Sequence, residues 1–136
     1  MAKASGSFSV KITPQAPEDG VGDPAIARMA LHKQFEGELQ GQARGQMLAI
    51  RGAVDGSAAY VALDRFEGEL HGRHGGFSLH HRGLMDRGQP SLEVRIVPDS
   101  GSGELEGISG TLAIRIEDKQ HFYDLEYQLA DRPGNA

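Results

Sequence analysis

Alternation of apolar and polar residues is the dominant pattern along this chain. The segment SFSVKIT at 7–13 sets Phe8, Val10 and Ile12 on one face against Ser9 and Lys11 on the other, the period of a half-buried strand. The stretch PQAPEDGVGDP that follows is rich in proline and glycine, and it predicts a loop over 14–25. From Ala27 the alternation resumes through Met29, Leu31, Lys33 and Phe35. A lysine in that row means either that the inward face is not wholly apolar or that a bulge shifts the register near Leu31. A short helix over PAIARMALHKQF competes, since Ile26, Met29, Ala30 and Lys33 have roughly helical spacing; strand is preferred.

Further strands follow at short spacing. QMLAI after Gly45 gives a third, and VDGS at 54–57 carries the Asp-Gly pair of a tight hairpin turn. AAYVALDRFEGEL and GFSLHHRGLM are dense in aromatic and apolar residues. SLEVRIV aligns Leu92, Val94 and Ile96, TLAIRIE aligns Leu112, Ile114 and Ile116, and HFYDLEYQLA aligns His121, Tyr123, Leu125, Tyr127 and Leu129. The total is about eight strands with no helix-period window longer than two turns. Such a set must close or protect two edges, so the predicted fold is all-β, an eight-stranded antiparallel barrel, with a two-sheet sandwich as runner-up.

One phrase is written three times: GELQG at 37–41, GELHG at 68–72 and GELEG at 103–107. Each copy places a leucine (Leu39, Leu70, Leu105) opposite its polar flanks, with glycines bracketing the group. The phrase reads as a strand-end and turn module whose leucine plugs one end of the barrel. A phosphate cradle fits poorly, because neither GxxxxGK[ST] nor GxGxxG occurs.

Composition narrows the function classes. The 136 residues fit one domain, 1–136, with a flexible tail expected at 130–136. The absence of cysteine excludes disulfides, thiolate metal sites and a cysteine nucleophile. A net charge of −5 argues against nucleic acid. No apolar run approaches a bilayer span and no apolar core follows the N-terminal lysine, so neither membrane insertion nor secretion is expected; the default is cytoplasmic.

Candidate chemistry is sparse. His80 and His81 are neighbours on a strand and face opposite ways; if Phe77 and Leu79 point inward, His81 joins them as an interior acid or base. In LDRFEG, alternation pairs Asp64 with Phe66 and Arg65 with Glu67 without fixing which pair is interior, and any interior charge must be partnered, with Arg95 able to complete the network. The catalytic candidates are His81, Glu67 and Asp64. Arg65, Tyr60, Arg95, Tyr123 and Tyr127 are the candidate cavity residues, the tyrosines because each couples apolar area to a hydroxyl. His71 and His74 read as solvated turn residues. No HExxH spacing exists, and neither a metal nor a cofactor is expected.

The run YVALDRFEGELHGRHGGFSLHHRG, with VRIVPDSGSGELEGISGTL and the closing YDLEYQL, resembles the DUF3224 family of small bacterial proteins, similar in fold to the eight-stranded barrel of plant allene oxide cyclase. By that likeness Phe66, Glu67 and Gly68 match the family's RFEG segment, and His81 and Gly83 its histidine-x-glycine segment. Val97, Pro98, Gly101, Gly103 and Leu105 match VVPGSGTGEL; Asp99 stands where glycine is usual and Ile96 where valine is frequent. The family brings no established activity. Allene oxide cyclase binds an unsaturated fatty-acid epoxide in its barrel, so the resemblance implies a barrel ligand and assigns no residue. Three readings remain: a barrel binding a small apolar or mildly polar molecule, an isomerase or cyclase acting on an apolar substrate, and a filled structural or protein-interaction barrel. The expected partner is a small hydrophobic molecule, with homo-oligomerisation left open.

Overall fold

The computed structural model describes residues 1–130; the tail expected at 130–136 lies, from 131 on, outside the described residues. Nine strands follow in order: β1 (Ala2–Gln15), β2 (Ala27–Gly37), β3 (Leu39–Arg51), β4 (Ala58–Leu70), β5 (Arg73–Asp86), β6 (Gln89–Ile96), β7 (Ser102–Gly103), β8 (Ile108–Glu117) and β9 (Gln120–Leu129). Pairing runs β4-β3-β2-β1-β9-β8-β6-β5, and β4 pairs with β5 to close the ring. The result is a closed eight-stranded antiparallel barrel, which displaces the sandwich alternative. The two-residue β7 adds outside it, against Gly75 and Gly76 of β5.

No bulge interrupts the β1–β2 ladder, which is continuous from Gly6↔Gly37 to Gln15↔Arg28. Lys33 therefore faces the interior in register with Leu31 and Phe35, which decides between the two readings of that row. Tight two-residue hairpins occur at His71-Gly72, Arg87-Gly88 and Asp118-Lys119, each with positive φ at both residues, as type I′ turns require. The Asp-Gly pair at 55–56 is not such a hairpin. It sits inside a longer loop, where Ser57 N–H donates to Val54 O and Gly52 N–H donates to Ser57 O.

One end of the barrel is filled. Leu39, Leu70 and Leu105, the leucines of the repeated phrase, are fully buried there with Phe35, Phe66, Phe77 and Tyr123. Phe35 meets Phe66 and Tyr123 edge-on at centroid separations of 5.9 and 5.5 Å, a favourable aromatic arrangement. The Tyr123 hydroxyl crosses to the β2–β3 junction, accepting from Leu39 N–H at 2.9 Å and contacting Glu36 O at 2.9 Å. It can do so because Gly37 lies beneath it with φ +105°; a Cβ at that position would meet backbone at 2.8 Å and the hydroxyl at 3.2 Å.

The opposite end is open because two strands stop short. β1 pairs with β9 only from Ala2 to Phe8, and β6 meets β8 only at Arg95↔Thr111. Above those points β1 through β6 continue as a curved sheet with two free edges. Pro14 and Lys11 lie on one edge strand and Pro90 on the other, residues that discourage further strand addition.

Candidate functional site

Directly above the aromatic core the interior changes chemistry. Lys33 (β2), Asp64 (β4) and His81 (β5) occupy inward positions and are 6%, 3% and 3% exposed. Lys33 Nζ lies 2.6 Å from Asp64 Oδ2 and 3.4 Å from His81 Nε2, which is itself 3.4 Å from Asp64 Oδ1. The ring of Phe8 sits 6.0 Å from the ammonium, a cation–π distance. Burial pushes the Asp64 carboxyl up, but the hydrogen bond from His81 and the Lys33 charge outweigh it and hold the group below its ordinary value. The trio therefore carries an ammonium and a carboxylate that cancel, with an imidazole against both.

Above the trio the inward rows fade into solvent and stay mainly apolar, with His121, whose ring lies 5.2 Å from that of Phe8, as a polar member. Ile12, Met85, Leu92 and Ile116 continue the rows of Phe8, His81, Val94 and Leu112, yet are 49%, 41%, 43% and 65% exposed. They form an apolar rim. Tyr60 lies at the lip, its ring so close to β5 that a Cβ on Gly83 would stand 2.1 Å from Cε1. Burial, and then the charge of Asp64, raise the Tyr60 pKa, so its phenol stays protonated at neutral pH.

The sequence candidates divide between inside and outside. Asp64, His81 and Tyr60 come together in the upper interior. Tyr123 belongs to the filled end and lines no mouth. Arg65, Glu67 and Arg95 lie on the outer face, which corrects the placement of Arg65 and Arg95 in a cavity and of Glu67 in an interior catalytic pair. The physical reason is parity: Phe66 and Asp64 claim the inside of β4, and an unbroken register leaves the odd-numbered positions out. Arg65 clamps the β6–β8 connection instead, donating to Ser100 O at 2.6 Å, Ser102 Oγ at 2.8 Å and Glu67 Oε1 at 3.0 Å. Arg95 pairs with Glu93, which also binds Arg82 at 2.7 Å.

Lys33 is the member that residue-by-residue reading passed over as a site residue. Its signal was present as a lysine in an otherwise apolar row. Tyr127 lies at the filled end, its hydroxyl bonded to His71 Nδ1, while His71 Nε2 stands 2.5 Å from Glu38 Oε2. His71 keeps the exposed turn position expected of it and at the same time bridges two strands. Its hydrogen bond, followed by that from Ser5 N–H, lowers the Glu38 pKa. A separate depression of about 590 Å³ lies mainly on the outer faces of β3 and β4, lined by Leu48, Val61 and Leu63 with Arg28 and His80 beside them. Among the described residues no group of three or more His, Cys, Asp and Glu could hold a metal ion, and no helix is long and apolar enough to cross a membrane.

These features define a class: an antiparallel barrel sealed by leucine and aromatic residues at one end, apolar-rimmed at the other, with a buried ionisable trio between. The chain belongs to the family described as a protein of unknown function, DUF3224, whose family model matches residues 4–127. It is similar to a crystal structure of a protein with unknown function from the same family of Shewanella oneidensis MR-1, with 45% identity over 97% of this chain and 99% of that one and a TM-score of 0.89. No curated protein matches.

Proposed function

We propose that the open half of the barrel binds a small, mainly apolar molecule, with Lys33, Asp64 and His81 as the polar floor beneath it. The observation that supports this reading is the exposed apolar rim of Ile12, Met85, Leu92 and Ile116 directly over a buried ionisable trio. Apolar walls with a few converging polar groups are what small-molecule sites share. A buried ion pair adds little stability over apolar residues of the same size, so a trio held here for packing alone is a poor bargain.

The test is titration with methyl hexyl ketone at neutral pH, followed by methyl NMR. The expected result is saturable shifts at Ile12, Leu92, Met85 and Leu31, with Leu39 and Leu70 unmoved. A barrel closed by its own side chains would give no saturable shift, and shifts confined to Leu48, Val61 and Leu63 would place the ligand on the outer face. Either result overturns the proposal.

A further inference from the structure

Strands β1, β6 and β8 turn hydroxyl and charged residues outward, as at Lys11, Arg95 and Thr111. The halves of β3, β4 and β5 nearest the open end do not. Register places Ile50, Ala59 and Leu84 in one outward row, Leu48 and Val61 in the next, and Leu63 in the third. Leu48, Ile50, Val61, Leu63 and Leu84 are between 42% and 62% exposed. A contiguous apolar patch of this kind, unlike scattered exposed residues, marks an interaction surface.

The same segments carry the sequence pattern of strands covered on both sides. MLAI at 47–50 and AAYVAL at 58–63 contain no charged residue, whereas a strand with one wet face alternates apolar with polar. In a single chain only their inward side, with Met47, Tyr60 and Ala62, is buried or half-buried. Residues 131–136 bring no large apolar side chain to cover the other side.

We infer that this face is where two copies of the chain pack together, sheet on sheet about a twofold axis. Its size fits that occupant. Three strands ~4.8 Å apart and three rows ~6.8 Å apart give an apolar centre of about 14 by 20 Å. Flanking residues on β2 and β6, Arg28 and Glu93 among them, widen the contact toward the ~800 Å² per partner that a stable dimer buries. Its charge fits as well, because a twofold contact sets a patch against itself. The centre is uncharged; at its edge Glu93 bonds both Arg82 and Arg95, and Arg28 donates to Ala16 O at 2.8 Å. The depression of about 590 Å³ beside Leu48, Val61 and Leu63 leaves room for a side chain such as Leu84 of the second copy.

The experiment is sedimentation equilibrium of the full chain, joined to isotope-filtered methyl NMR on a mixture of labelled and unlabelled copies. At high micromolar concentration the expected mass is twice the 14.6 kDa of one chain, with intermolecular cross-peaks at Leu48, Val61, Leu63 and Leu84. Val61→Glu combined with Leu63→Glu sets like charges face to face and should raise the dimer Kd on the order of 100-fold. Ile116→Glu, at the rim of the open end, should leave it unchanged. A single-chain mass at that concentration, a folded double variant that dimerises as tightly as the native chain, or cross-peaks confined to Ile12, Leu92 and Ile116 overturns the inference. The cross-peaks are read on the native sequence, so they decide the matter even where the double variant fails to fold.

Discussion

The two ends of this barrel are built from the same strands with the same alternation, yet one is sealed and the other is not. At the sealed end Phe35, Leu39, Phe66, Leu70, Phe77 and Leu105 are fully buried, and the Tyr123 hydroxyl ties β9 to the β2–β3 junction. At the open end equally apolar residues, Ile12, Leu92 and Ile116, stand in solvent. Strand length makes the difference: β1 and β5 run for 14 residues each, while β8 and β9 run for 10. A hairpin that stops short leaves its neighbours with nothing to pack against. Hydrophobicity along a strand shows which face turns inward, but not whether another strand reaches far enough to cover it.

The sharpest way to break this comparison is at the boundary between the halves. Asp64→Ala strands the Lys33 ammonium in the interior, and should cost about 3–5 kcal/mol in urea unfolding. Replacing the whole trio (Lys33→Met, Asp64→Leu, His81→Phe) should be neutral or stabilising, by up to ~4 kcal/mol. Should the triple variant prove as unstable as Asp64→Ala, the trio is structural and the functional reading of the upper half loses its footing.

Next in size is the contrast between leucine and isoleucine truncations. Leu70→Ala, at a fully buried plug position, should cost ~2–5 kcal/mol. Ile116→Ala at the rim should stay within about 0.5 kcal/mol, as surface substitutions do. Comparable losses at both sites would mean that the open end is covered in solution, for instance by a second molecule. Smaller again is Tyr123→Phe, which leaves Leu39 N–H without its acceptor and should cost ~1–3 kcal/mol.

Acid titration separates the halves by a different route. Asp64 is held below the ordinary value of 3.8, so the folded chain binds this proton more weakly than the unfolded chain does. Its contribution to stability is complete above that ordinary value and disappears as pH falls through the lower folded value. Unfolding free energies measured across the acid range should show this limb in the native sequence, and the triple variant should have lost it.

Much of this architecture is legible in the sequence, and the exceptions have physical causes. Strand β4 coincides with AAYVALDRFEGEL, and the three GEL leucines reach the plug position expected of them, because alternation and bracketing glycines are local signals. The first strand begins earlier than its alternation suggests. Residues Ala2 to Gly6 carry no large apolar side chain, and their pairing with β9 is a long-range event that no local pattern records. Of the trio, His81 follows from parity with Phe77 and Leu79. Asp64 stayed ambiguous because Val61 and Leu63 on the outer face of β4 are as apolar as its inner row, and both are exposed. Lys33 had the right face but no visible partner, since its carboxylate lies 31 residues away.

The smallest effect belongs to the turn that carries the second copy of the phrase. His71 sits at φ +49° ahead of Gly72 at φ +79°, a two-residue hairpin in which asparagine is the favoured first residue. Two opposing terms meet in His71→Asn. The substitution relieves a left-handed conformation that histidine adopts less readily. It also removes the ring that links Glu38 of the β2–β3 junction to Tyr127 of β9. The Glu38 side chain is largely solvated, so the lost contact is a surface one of the kind worth at most ~1 kcal/mol, and the expected net change lies within about 0.5 kcal/mol of zero. The informative measurement is therefore amide hydrogen exchange at Leu39 and Ser5, not the unfolding midpoint. If faster exchange at Ser5 accompanies an unchanged midpoint, the bridge fastens the sealed end locally; a loss above about 1 kcal/mol would make it part of the plug.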